Sequence, residues 1–139
     1  MKDTPEALVN RRLNRRGQVF RHYKVDERDG TPNLYRRLLV AMLYPRLSVG
    51  DRRRARFVMS VLHSDDCRIC HLLDVPSEGL LLAEVDDRDD SHYAAPHVVY
   101  VSLKKWTVWA RPAEEFHGMV DVNGERVQRF TALPDVEDP

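Results

Sequence analysis

The chain is short of the features that mark secreted, membrane-spanning or disordered proteins. It has two cysteines, Cys67 and Cys70, in 139 residues. That is too few for the disulfide framework of a small secreted scaffold. No apolar run approaches the ~20 residues a membrane span needs. The opening Met1-Lys2-Asp3-Thr4-Pro5-Glu6 has no apolar segment of the secretory kind, so a cytoplasmic location with no membrane association is expected. Internal repeats, low-complexity tracts, phosphate-binding glycine loops, serine-histidine-aspartate elbows and H-E-x-x-H helices are all missing. A non-enzymatic role is therefore the expectation.

What remains is the composition of a globular domain, 42% apolar and 32% charged. A chain of this length buries roughly two-thirds of its unfolded surface, so it can build a core without staples. The zero net charge hides an asymmetry. Residues 1–56 hold 15 Lys/Arg against 6 Asp/Glu, a charge of +9, and residues 57–139 hold 7 against 16, a charge of −9. Of the 22 basic residues 18 are arginine, the side chain suited to phosphates, carboxylates and flat rings. Such poles either pair with each other, within or between chains, or turn the basic one toward an anionic partner such as nucleic acid.

Residues 4–16 read as a helix, with Thr4 as N-cap, Pro5 at the first turn and Arg11, Arg12, Arg15 and Arg16 crowding the last turn before Gly17. This gives a basic helical arm over 1–17. Residues 18–24 read as a short strand. Thr31-Pro32 repeats the N-cap signal, and Leu34, Leu38, Leu39, Met42 and Leu43 follow at helical spacing. That pattern predicts an inserted, largely buried helix over 32–44. Residues 48–56 read as a basic loop. Residues 57–62, 68–75, 80–85, 97–103 and 107–110 read as strands, and Pro112 opens one helical turn to Phe116. Asn123-Gly124 between two strand-like runs is the signature of a type I′ hairpin. The sum is a mainly β fold, a small antiparallel barrel or half-barrel, with a polar tail over 134–139.

Two blocks carry a resemblance. One is Gly17-Gln18-Val19-Phe20-Arg21-His22-Tyr23-Lys24. The other is Trp109-Ala110-Arg111-Pro112 with Phe116, continuing through Val120-Asp121-Val122-Asn123-Gly124 to Arg126-Val127-Gln128-Arg129-Phe130. Together with the strand ending in His63-Ser64 and with Val98-Val99-Tyr100, they resemble the domain-of-unknown-function 1653 family of small bacterial and phage proteins. The resemblance implies a compact SH3-like β-barrel over 18–133, with insertions at about 25–55 and 66–96. It implies no established activity.

Five sets of residues are candidates for chemistry. Arg21, Tyr23, Trp109 and Arg111 form a ligand-binding constellation if the two blocks meet, because aromatics stack bases and arginines hold phosphates. Arg52, Arg53 and Arg54, with Arg11, Arg12, Arg15 and Arg16, can track a phosphate backbone. His63, Cys67, Cys70 and His71 carry zinc-type donors within nine residues. In that set a strand would send Cys67 and Cys70 to opposite faces, and His92 or His97 would have to complete the coordination. Cys70 beside His71 is a nucleophile-base pair only on paper, since strand neighbours face apart. Asp86, Asp87, Asp89 and Asp90 offer hard oxygens without the spacing of a calcium loop. The combined expectation is a cytoplasmic binding module for a nucleic acid or nucleotide-like anion, without cofactor apart from the zinc candidate. The alternative is a protein-interaction module, either a homo-oligomer joined through its poles or an inhibitor of a host protein of the kind phages encode, with an acidic protein as partner.

Overall fold

The computed structural model describes residues 17–45, 47–76, 78–85 and 95–134. The expected helix over 4–16 and the acidic run at Asp86–Asp90 lie outside them. Among the described residues the fold is mainly β: β1 (Val19–Val25), β2 (Pro32–Tyr44), a short helix α1 (Val49–Arg54), β3 (Arg56–His63), β4 (Ile69–Val75), β5 (Gly79–Glu84), β6 (Ala95–Ser102), β7 (Val108–Pro112), the single turn α2 (Ala113–Phe116), β8 (Met119–Val122), β9 (Glu125–Gln128) and β10 (Phe130–Ala132).

The strand pairings run from β2 to β5, β4, β3, β7 and β6, and β6 pairs back onto β2. Most of these ladders are antiparallel, as expected. Two are parallel, Leu43–Tyr44 against Leu82–Ala83 and Leu62–His63 against Trp109–Ala110. These short parallel ladders join one antiparallel group of strands to the other. Each strand of the circuit sends residues to one core, including Leu38, Val61, Leu72, Leu82, Val99 and Ala110.

The helix expected over 32–44 is a strand. β2 pairs along β6 from Tyr35↔Ser102 to Leu43↔Ala95, and its register slips between Arg37 and Leu39. That slip is a β-bulge, one extra residue on β2. It puts Leu38 in the core with Leu39 packed against it, and strict alternation is lost. A doublet followed by apolar residues three and four positions on imitates a helical period. Beyond the bulge the strand period returns, with Ala41 and Leu43 buried and Val40 and Met42 exposed. The expected loop at 48–56 contains α1. It is capped by the Ser48 hydroxyl accepting from the Asp51 amide, and it buries no residue.

A second layer covers the outer face of β6 and β7. β1 and β10 are added on the far side of β2. They bring Phe20 and Phe130, with Phe116 of α2, against Val98 and Tyr100. β6 is therefore apolar on both faces and buried from His97 to Ser102. The Asn-Gly hairpin forms as expected between β8 and β9, with φ of 51° at Asn123 and 84° at Gly124. Glycine, and after it asparagine and aspartate, adopt such angles most readily.

Candidate functional site: an aromatic and basic groove

A groove of about 470 Å³ opens beside the second layer. His22 and Lys24 of β1, Asn33 and Tyr35 of β2, the β1–β2 turn, the β6–β7 turn and Trp109 line it. The two turns are tied together. Leu103 donates its amide to Leu34 at 3.0 Å. Lys104 reaches the Thr31 hydroxyl and lies 3.5 Å from Asp26 Oδ2 and 3.9 Å from Asp29 Oδ1. The groove wall is thus fixed by backbone and charge, and Lys105 stands exposed at its rim.

The floor is aromatic. The His22 ring meets Tyr35 edge-on at 6.2 Å and Phe130 at 4.9 Å. Trp109 packs partly against the same cluster. Burial pushes His22 down to about 4, and Arg111, Arg129 and Lys24 each oppose its charged form as well. The ring is therefore neutral at pH 7 and lies in a positive field. The buried Nε of Arg129 has no hydrogen-bond partner among the described residues.

Of the four expected ligand residues, Trp109 lines this groove and the others do not. Alternation along β1 places Phe20 and His22 on the inner face, and Arg21 points away, exposed. Tyr23 lies beside His22 at 4.7 Å, with Lys24 Nζ 5.7 Å above its ring. Arg111 is committed to the second layer. Its Nε donates to the Tyr100 hydroxyl at 3.2 Å, its guanidinium lies 5.7 Å over Phe130, and it pairs with Glu115 at 3.4 Å. Tyr35 and the two turns were not singled out from sequence, and His22 entered only as a neighbour of Arg21 and Tyr23 in the Gly17–Lys24 block. The signal that could have found His22 is period-two alternation from Phe20, a core-type residue.

Arg52, Arg53 and Arg54 are exposed on α1 and do not line the groove; Arg54 approaches Asp51 at 3.5 Å. Arg11, Arg12, Arg15 and Arg16 lie outside the described residues.

The structure does not gather the four zinc candidates. Cys67 is exposed in the β3–β4 turn at φ 59°. Cys70 is in the core, where burial pushes its thiol up to about 11. His71 points outward, its ring 5.0 Å from Phe57. Cys70 and His71 thus face apart, as the strand period requires, and form no nucleophile pair. His63 turns inward to meet His97. Among the described residues no group of three or more His, Cys, Asp or Glu side chains is placed to hold a metal.

The family model of DUF1653, a protein of unknown function, matches residues 84–132. The match takes in Val98-Val99-Tyr100 and the block from Trp109 to Phe130. It begins within the second expected insertion and leaves Gly17–Lys24 and the strand ending in His63-Ser64 outside. No curated protein and no solved structure matches the chain.

Proposed function

We propose that this chain is a non-enzymatic binding module built on a small SH3-like barrel, and that its groove takes a nucleotide-like anion, alone or within a single-stranded nucleic acid. The observation that carries the reading is the joining of flat rings to cations in one cleft. His22, Tyr35 and Trp109 form the floor, and Lys24, Arg28 and Lys105 stand around it. Stacking on such a floor contributes about 1–3 kcal/mol per base. Lys24 and Lys105 supply the charge a phosphate needs, while Arg28 is shared with Asp26 at 3.5 Å and Asp26 and Glu27 line the cleft's acidic side. The groove volume of about 470 Å³ falls in the usual range for small-molecule sites, about 300–1,000 Å³. The exposed Arg52, Arg53 and Arg54 would extend the contact along a longer strand.

The test is fluorescence anisotropy with labelled single-stranded RNA, single-stranded DNA and duplex DNA at low and at physiological salt. Single strands should bind best, and Trp109→Ala should abolish the difference between single strand and duplex. Six phosphate contacts should weaken binding by about a thousandfold between 50 and 200 mM salt. No binding at low salt overturns the reading. In that case light scattering decides whether the opposite poles join copies of this chain.

A further inference from the structure

A cluster of hydrogen-bond donors adjoins the groove and shares two rings with it. His22 and Tyr35 line the groove. Their rings also belong to the aromatic layer, with His22 4.9 Å from Phe130, Tyr35 5.3 Å from Tyr100 and Tyr100 5.4 Å from Phe130. Two arginines meet this layer. The Arg111 guanidinium lies 5.7 Å over the Phe130 ring. Arg129 immediately precedes Phe130 and is pinned by its backbone. Its carbonyl accepts from the Tyr23 amide and its amide donates to the Gly118 carbonyl, both at 3.0 Å. Arg111 and Arg129 each act on both the His22 ring and the Tyr100 hydroxyl, so two positive charges converge on one place.

The groups gathered there have more protons to give than acceptors to take them. The Nε of Arg129 is buried, and nothing among the described residues accepts from it. Arg111 gives Nε to the Tyr100 hydroxyl and Nη1 to Glu115, which leaves its Nη2 hydrogens. The Tyr100 hydroxyl accepts that bond and keeps its own proton to donate. His22 Nδ1 accepts from the Lys24 amide at 3.3 Å, so the ring proton sits on Nε2. Glu115 is the carboxylate that reaches this cluster among the described residues. It is 3.4 Å from Arg111 on a side chain 41% exposed, and it stands against the three cations around His22, which are Arg111, Arg129 and Lys24. A buried donor without an acceptor is costly, and a bound anion removes that cost.

We propose that Arg111 and Arg129, with the His22 Nε2–H and the Tyr100 hydroxyl, bind one oxyanion of the phosphate class. Two guanidiniums, a ring N–H and a hydroxyl together offer more donors than the two oxygens of a carboxylate take up, and they suit the several oxygens of a phosphate. Free inorganic phosphate and the terminal phosphate of a nucleotide share this chemistry. That the phosphate belongs to a ligand whose base lies on Tyr35 and Trp109 rests on the groove reading above; the anion site itself does not. A bound dianion also turns the field at His22 from positive toward negative, so binding favours the charged ring.

The test follows the His22 ring by NMR as the full chain is titrated with inorganic phosphate. Phosphate should bind saturably at one site, shift His22 and raise its pKa from about 4 toward 6.5. Arg111→Gln and Arg129→Gln should each weaken binding by about tenfold or more, the loss of a charge-assisted hydrogen bond. Arg129→Lys should recover part of that loss, and Arg126→Gln, an equal change of charge on β9, should cause none. A short single-stranded oligonucleotide with and without a terminal phosphate separates the two sources. A preference for the phosphorylated strand that is lost in Arg129→Gln assigns the site to the groove's ligand. Phosphate binding without oligonucleotide binding keeps the anion site and removes only the groove reading. A His22 ring unmoved by phosphate, or binding indifferent to both arginine variants, overturns the proposal. The His22 shift is read in the unsubstituted protein, so it decides even where a variant fails to fold.

Discussion

Phe116 lies flat on Phe130, with 4.2 Å between ring centroids and 11° between planes. Phe20 closes on Phe116 edge-on at 5.0 Å. The stack joins the single turn α2 to the last strand and presses both onto the outer face of β6. Phe116 is fully buried although it belongs to a four-residue helix with no side-chain cap. Tertiary contact, not helical propensity, holds that turn.

Phe116→Ala should therefore destabilise the fold by about 3–5 kcal/mol, the cost of an emptied aromatic site. Urea unfolding at constant m-value checks it. A loss under about 1 kcal/mol, the size of a surface change, would mean the second layer is not cooperative with the main core.

The bulge in β2 is testable without a new structure. Val40 is 53% exposed and Leu38 is 4% exposed. Val40→Lys should stay within about 0.5 kcal/mol of the parent, while Leu38→Lys should unfold it. Were 32–44 the helix its spacing imitates, Leu38 would be buried just the same, but Met42 would lie on that buried stripe; in the strand it is exposed, so Met42→Lys, tolerated in the strand and disruptive in the helix, is the discriminating substitution.

The groove ties stability to pH. The folded-state value of His22 is depressed from 6.5 to about 4. Between those values the unfolded chain takes up a proton that the folded chain refuses. The contribution of neutral His22 is complete above pH 6.5 and is lost as pH falls toward 4. Melting temperatures at pH 7 and pH 4.5 should fall further apart in the parent than in His22→Phe, which keeps the ring contacts and cannot titrate. Equal drops in both proteins would place the acid sensitivity elsewhere.

Lys105 is exposed at the groove rim and contributes no buried surface. Lys105→Ala should leave the melting temperature unchanged and lower the slope of log affinity against log salt by about 1, the signature of one lost phosphate contact. An unchanged slope would remove this lysine from the binding face.

Local chemistry was legible in the chain itself. Asn123-Gly124 announces its hairpin because the turn's positive φ depends on those two residues alone. The strands at 57–62 and 97–103 are visible because β-branched and aromatic residues such as Phe57, Val58, Val61, Val98, Val99 and Tyr100 favour an extended form locally. Pro112 and Phe116 likewise bracket their turn. What the tertiary structure decided is every relationship that depends on strand order. The bulge at Leu38 exists because β2 must stay in register with β6 while turning Leu38 and Leu39 to one core, so the period read along the chain was misleading. His22 replaces Arg21 and Tyr23 in the groove because β1 is fixed by β2 and β10, which turn the Phe20 face toward Trp109. His63 and His97, far apart in sequence, meet because β7 lies between their strands. Sequence carries the preferences of neighbours, which are short-range; which side chains share a site is set by long-range pairing, and no local pattern encodes it.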